Sequence, residues 1–429
     1  MFKKILKITG LILLLVLLAG FLFWLDIKMK WPWWMGASIF IGVIGIVVAI
    51  IFLKRYLRRR REKKFVRRVV ELDEAALKDL PLQERQQLKD LQDKWKEAVE
   101  LLRDSYLRKR GNPLYALPWY LVIGESGSGK TSAIKNARLS SPLSEIARTT
   151  GIAATANCDW WFFEEAIILD SAGRYTIPLD EKRDREEWEK FLTLMSQYRR
   201  REPLNGLVLV VAADTLLAGD DDQLRLDGQS ARKRIDQLMR VVGAKFPVYV
   251  LVTKMDLVFG FVEFLNSFGT EEAAQAMGYM NRQGNPYWHE TLAAAWSYLT
   301  SRLHELRLIM AHRTQDPTAA ALLFPGEFER LRPGLEEFVR AVFAENPYQE
   351  TPHLRGLYFS SARQEGSPAP GNLSFMEMPA RETPATGRDL FLKDFFRNIL
   401  PGDRILFRPL LEFIRWRRLT SNTALMAWL

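Results

Sequence analysis

Hydrophobic and polar positions divide the chain into three kinds of segment. Residues 8–25 and 31–53 are apolar on every face and hold no charged residue. A helix without a polar face is not an ordinary surface helix. Both stretches fall in the range of about 17–25 residues that crosses a bilayer. The pattern predicts a transmembrane helical hairpin over residues 1–53, turning through residues 26–30. Trp24, Trp31, Trp33 and Trp34 lie around that turn, where rings at a membrane–water interface belong. A cleaved signal peptide fits worse, because a second span follows and no clear small-residue cleavage site does.

In the second kind of segment, Leu88, Leu91, Trp95, Ala98, Leu102 and Tyr106 recur at spacings of three and four. This predicts helix over much of residues 69–108, with Pro81 separating two helices. In the third, short and wholly apolar runs occupy residues 121–123, 166–169, 207–213 and 248–252, and a further strand-like run that opens on Arg355 occupies residues 355–359. They read as buried strands of a largely parallel sheet. Helical patterns such as residues 227–242 alternate with them, so the class is α/β. Residues 259–352 are long for a connection and carry helical patterns, as over residues 287–310. They predict a helical subdomain. Residues 364–388 are rich in Gly, Pro, Ser and Thr and read as a linker.

Charge changes this picture through its location. The whole chain carries 61 Lys and Arg against 51 Asp and Glu, a net +10. Residues 1–68 alone hold 15 basic residues against Asp26 and Glu62, a net +13, which leaves −3 for the rest. A nucleic-acid reader carries its basic patch on the folded domain, so no nucleic-acid partner is expected. The basic run at residues 54–68 instead follows the second span. By the positive-inside bias, both ends of the hairpin are expected in the cytoplasm. The run either binds anionic membrane lipid or serves only as a stop-transfer anchor. One cysteine, Cys158, excludes an intramolecular disulfide framework, and four histidines leave little material for a metal cluster. His289 and His304 are read as core or surface residues. Asp220, Asp221 and Asp222 are read as a solvated loop.

The chemistry begins after the strand at residues 121–123. Gly124, Glu125, Ser126, Gly127, Ser128, Gly129, Lys130 and Thr131 form a complete G-x-x-x-x-G-K-[ST] pattern, followed by a helix-forming stretch. Glycines let backbone N–H groups turn around phosphate oxygens, and the helix start adds its positive dipole end. Lys130 is expected at the β/γ-phosphates and Thr131 at Mg²⁺. The strand over residues 166–169 ends at Asp170, a second Mg²⁺ candidate. Gly173 can offer its N–H to a γ-phosphate. Thr253, Lys254 and Asp256 follow the strand over residues 248–252, in the T-K-x-D spacing that reads a guanine base. Ser361 and Ala362 follow the last strand and are placed beside that base. All four motifs lie at strand carboxyl ends, where ligands sit in open α/β sheets. The expected cofactor is Mg²⁺ with ATP or GTP, in a P-loop GTPase-like domain. Arg174 stands where a water-orienting glutamine commonly follows the glycine. It is the catalytic candidate, either stabilising transition-state charge or pairing with a surface carboxylate. Thr149, Thr150 and Thr155 are alternatives for a first-switch threonine.

These motifs, with residues 114–134, 157–176, 248–261, 351–366, 389–400 and the basic 415–418, resemble the IcmF/TssM family. That family supplies the inner-membrane component of bacterial type VI secretion systems. The resemblance implies a multi-pass inner-membrane protein with its main domain in the cytoplasm. It implies a complex with TssL and TssJ, docking of the baseplate, and a homo-oligomer. It implies a scaffold role, with nucleotide as a switch, or alternatively an NTPase whose turnover powers assembly or secretion. The family's activity is described as ATP-linked, whereas Asp256 argues for guanine, and both stay open. Full-length relatives continue through a third span. Here the segment ends at Leu429, as either a fragment or a short form. The domain plan is therefore a hairpin (1–53), a basic and helical linker (54–112) and a nucleotide-binding core (113–258). A helical insert (259–352), the last strand with its base-side loop (353–365) and a linker with C-terminal helix (366–429) complete it.

Overall fold

The protein is described by a computed structural model. It covers residues 82–107, 112–137, 139, 158–177, 181–199, 202–268, 274–313, 317–346, 350–362, 390–403 and 408–409, with Trp24, Lys28, Ser38 and Gly45. The chain divides into two compact units, Met1–Leu80 and Pro81–Leu429. In the first, the four described residues are helical, and the Lys28 ammonium lies 4.7 Å from the centroid of the Trp24 ring.

The second unit is built on a seven-stranded mixed sheet. Its strands are β1 (Trp119–Gly124), β2 (Cys158–Phe162), β3 (Ile167–Ser171), β4 (Gly206–Ala212), β6 (Pro247–Thr253), β7 (Met277–Met280) and β8 (His353–Phe359). A two-residue β5 (Ala244–Lys245) pairs separately with β9 (Arg408–Pro409). The order is β2-β3-β1-β4-β6-β8-β7. Neighbours from β3 to β8 run parallel, while β2 and β7 close the two edges antiparallel. The central strands β1, β4 and β6 are buried along their whole length, which explains their unbroken apolar sequence.

Helices cover both faces. Short α2 (Lys130–Asn136) follows β1 directly. On its face of the sheet, Ala133 and Ile134 meet Val122, Ile168, Val210 and Leu251. The other face takes α1 (Leu82–Asp104), α3 (Glu181–Tyr198), α5 (Asp221–Val242), α7 (Trp288–Arg313), α8 (Ala319–Glu329) and α9 (Leu331–Phe343), in contact with one another. Two short helices, α4 (Ala213–Ala218) and α6 (Phe261–Asn266), follow β4 and β6. α1 is fixed by Trp95, whose ring lies 4.7 Å from Trp160, 5.8 Å from Tyr198 and 6.2 Å from Trp119. α5 and α9 approach closely because Gly228 lies against Ala341 and the Phe338 carbonyl, with no room for a Cβ.

The fold-class expectation is corrected on one main point. No transmembrane hairpin is found: among the described residues, no helix is long and apolar enough to cross a membrane. The physical reason lies in the long helices themselves. α1, α3 and α5 carry charges through their length, and α7 includes Glu290, Arg302, Glu305 and Arg307. The predicted spans at 8–25 and 31–53 lie outside the described residues, apart from Trp24, Ser38 and Gly45. So do the basic run at 54–68, Pro81, Thr149, Thr150, Thr155, the linker at 364–388 and the end of the chain from 410. Three smaller corrections follow. The stretch 259–352 is not wholly helical, since β7 joins the sheet edge. Asp221 and Asp222 form the first turn of α5, where carboxylates complement the helix dipole. Tyr106 leaves the helical stripe, because α1 ends at Asp104, and it is exposed.

Candidate nucleotide site

β1 sits between β3 and β4, so the chain leaves it first to one side and then to the other. A crevice opens outside the carboxyl ends of the strands at such a point. The glycine loop, residues 124–131, lies there, between β1 and α2. Gly127 and Gly129 have φ of +78° and +83°, conformations that side chains rarely adopt. Gly173 lies against the backbone of Glu125 and Ser126, where a Cβ would find no space. The turn after β3 therefore packs directly on the glycine loop.

Lys130 is buried, and its ammonium donates to the carbonyls of Gly124 (2.9 Å) and Glu125 (2.6 Å). Burial lowers its pKa, while Asp170 and Glu125 work to keep it charged. The Thr131 hydroxyl donates to Asp170 Oδ2 at 2.5 Å. Asp170 is 5% exposed, and its Oδ1 is buried without a hydrogen-bond partner. Burial raises its carboxyl to about 6, against the opposing pull of Thr131 and Lys130. An orphaned carboxylate oxygen beside a hydroxyl and an ammonium fits a hard cation with an anionic ligand. The Ser128 hydroxyl is a second buried oxygen without a partner in this loop.

On the other side, Thr253 ends β6. Its hydroxyl donates to the carbonyls of Ser128 (2.5 Å) and Val211 (3.3 Å). Thr253 thus fastens β6 to the glycine loop. Lys254 holds a left-handed conformation, and its ammonium meets Asp214 Oδ2 at 3.0 Å. Asp214 Oδ1 in turn accepts from the N–H of Thr215 at the start of α4. Asp256 accepts from the Ser361 hydroxyl, and burial raises its pKa. Ala362 is buried next to Ser361. The two base-side motifs, 105 residues apart, therefore form one patch.

Arg174 stands apart from these groups. Its guanidinium lies 2.7 Å from Glu187 and 3.7 Å from Asp184, both on α3 and both buried. Among the described residues, no group of three or more His, Cys, Asp or Glu could hold a metal ion by itself. His304 lies 4.0 Å from Glu329 on the helical side. Sequence reasoning missed Thr176, whose hydroxyl accepts the Gly124 N–H at 3.0 Å, and Ser171, whose hydroxyl donates to the Val122 carbonyl at 2.8 Å. Ser171 lies inside the D-x-x-G stretch and Thr176 three residues past its glycine, and the hydroxyl residues there were the available signal.

The family model described as the IcmF-related N-terminal domain matches residues 181–428, more than half of the chain. The chain belongs to that family. The match begins after the glycine loop, so membership in the IcmF-related family carries no argument about residues 124–131. It does include Asp256 and Ser361. This IcmF-related chain is 38% identical over 339 residues to the type VI secretion system component TssM1 of Pseudomonas aeruginosa. The alignment takes in 74% of the chain and 31% of that protein, so the chain spans about a third of the relative's length. Among solved structures, one SsGBP variant aligns with 38% of the chain and 51% of its own, at 16% identity and a TM-score of 0.20. Another aligns with 59% and 65%, at 15% identity and 0.19. Likeness at that level carries no argument here.

Proposed function

We propose that this IcmF-related chain is a component of a type VI secretion apparatus at the bacterial inner membrane. Its α/β domain binds a nucleoside triphosphate with Mg²⁺ and acts as a scaffold. The observation that carries the nucleotide reading is the Thr131–Asp170 pair under the glycine loop, with Asp170 Oδ1 buried and unpartnered. Asp170 and Thr131 are the residues that hold the ion, which when bound neutralises phosphate charge. The N–H groups of residues 124–131 surround the phosphates. Lys130 exchanges the Gly124 and Glu125 carbonyls for phosphate oxygens, a stronger charge-assisted partner. Asp256 accepts the N–H donors of the base. Guanine presents two such donors side by side, which supports GTP over ATP. The scaffold role, with TssL, TssJ and baseplate components as partners, rests on the family and on the name of the TssM1 relative. So do self-association and contact with lipid.

A binding role is favoured over turnover by Arg174. As a source of transition-state charge it would first have to leave Glu187 and Asp184. The test is equilibrium binding of GTP and ATP to the full chain in the presence of Mg²⁺. Saturable binding is expected, with at least about a hundredfold loss in Lys130→Ala, since charged phosphate contacts of this kind contribute about 1.5–3 kcal/mol each. Absence of binding by folded protein would overturn the nucleotide reading and leave the scaffold role to other surfaces.

A further inference from the structure

The base-side patch is tied to the last part of the second unit. Ser361, whose hydroxyl serves Asp256, also pairs through its backbone with Leu390. The two bonds are 3.3 Å from Ser361 N to Leu390 O and 3.1 Å in the other direction. Leu390 opens a strap, residues 390–403, laid across the α2 face of the sheet. Phe391 turns the chain at φ +67°, a conformation uncommon for any residue but glycine. Helical turns follow at Leu392–Asp394, Phe395–Ile399 and Leu400–Gly402, the middle one of π type. Phe395 packs 4.8 Å from the ring of Tyr358 and 6.2 Å from that of Tyr249.

The far end is held by polar contacts. Arg355 of β8 grips Asp403 with two bonds, of 2.6 and 2.9 Å, and also donates to the Asn281 carbonyl. The Tyr249 hydroxyl donates to Asp403 at 2.7 Å, and the Tyr120 hydroxyl donates to the Leu400 carbonyl. Burial would raise the Asp403 carboxyl, but Arg355 and Tyr249 hold it below the usual range. The strap is thus fastened to β1, β6 and β8 at one end and to the base-side loop at the other.

A base that engages Asp256 presents N–H donors to the same carboxylate that now accepts from Ser361. We infer that nucleotide occupancy and docking of the strap are coupled through Ser361. Engagement of Asp256 competes for the carboxylate that the Ser361 hydroxyl uses, leaves that hydroxyl its longer contact with the Ala362 carbonyl (3.4 Å), weakens the Ser361–Leu390 pair, and shifts the strap toward release. By linkage, the released state binds nucleotide more tightly than the docked state by the same factor. The input rests on the nucleotide reading above. The mechanical link from Asp256 through Ser361 to Leu390 does not.

Hydrogen exchange across the full chain, followed by mass spectrometry, reads both parts. Without nucleotide, Ser361→Ala is expected to speed exchange over residues 390–403 about five-fold, the equivalent of one ordinary hydrogen bond, with β4 unchanged. GTP at saturation, established by direct titration on the same sample, is expected to do likewise in the unmodified chain. Tyr249→Phe, which removes one hydroxyl at the far end, is expected to loosen the strap by a similar factor and to leave GTP affinity equal or tighter, never weaker. Unchanged strap exchange in Ser361→Ala overturns the link. Bound GTP with unchanged strap exchange overturns the coupling. A loosened strap in Ser361→Ala, in protein that binds no nucleotide, supports the link and removes nucleotide as its input.

Discussion

At the scale of single residues, Asp170 determines a sign. Burial pushes its carboxyl up to about 6 in the folded protein, from an ordinary 3.8. The folded state therefore binds that proton more tightly than the unfolded chain. The stability contributed is fully present below the ordinary carboxylate range and is lost as pH rises through about 6. The effect is on the order of 2–3 kcal/mol. Asp170→Asn is expected to raise the urea midpoint at pH 7.5 and to flatten its dependence between pH 5 and 7. In the presence of Mg²⁺ and nucleotide, the same variant is expected to lose the ligand's stabilisation. An unchanged pH profile would show that Asp170 is not the titrating group. Glycines make a second comparison. Gly173→Ala meets the backbone of Ser126 and is expected to cost about 1–3 kcal/mol. Gly127→Ala meets open space and costs only its left-handed backbone, about 1 kcal/mol. Chemical unfolding of the two variants checks the order. The spacing of residues 124–131, between a strand and a helix, made the glycine loop visible in sequence. The seat of Thr253 on the Ser128 carbonyl was not, because a contact across 125 residues leaves no local pattern.

At the scale of elements, strands buried on both sides were the most legible. β1, β4 and β6 appear as apolar runs because each side of the sheet is covered by helices, whereas β8 is interrupted by Arg355. The edge strands were not legible. β2 places Asp159 beside Cys158 ahead of three aromatic residues and is only part-buried at its centre, and β7 is half-buried throughout, so neither gives the signal of a fully buried strand. α5 was read six residues too short, because three aspartates look like a loop until their place at a helix start is seen. The attachment of α1 has a direct test. Trp95 is fully buried among Trp119, Trp160, Phe191 and Tyr198. Trp95→Ala is expected to cost about 3–5 kcal/mol in denaturant unfolding. A loss well under 1 kcal/mol would mean that α1 is held chiefly elsewhere.

At the scale of the whole molecule, the family match places the chain in a secretion-related lineage, while the sheet supplies a crevice where four sequence motifs gather. Those two lines meet in the strap, which lies inside the matched region and touches the base-side loop. The strap also has a consequence for synthesis. Tyr120, in the first strand of the sheet, takes as its partner the carbonyl of Leu400, 280 residues later. At roughly 5–20 residues per second on the ribosome, β1 waits on the order of tens of seconds for that partner. During this time the aromatic surface formed by Tyr120, Tyr249 and Tyr358 has no cover from Phe395. Nascent chains stalled before Leu400 are therefore expected to be captured by chaperones and cut readily by protease, and chains stalled well beyond Asp403 to resist both. The turns of the strap would then act as the step that commits a growing polypeptide to its final form.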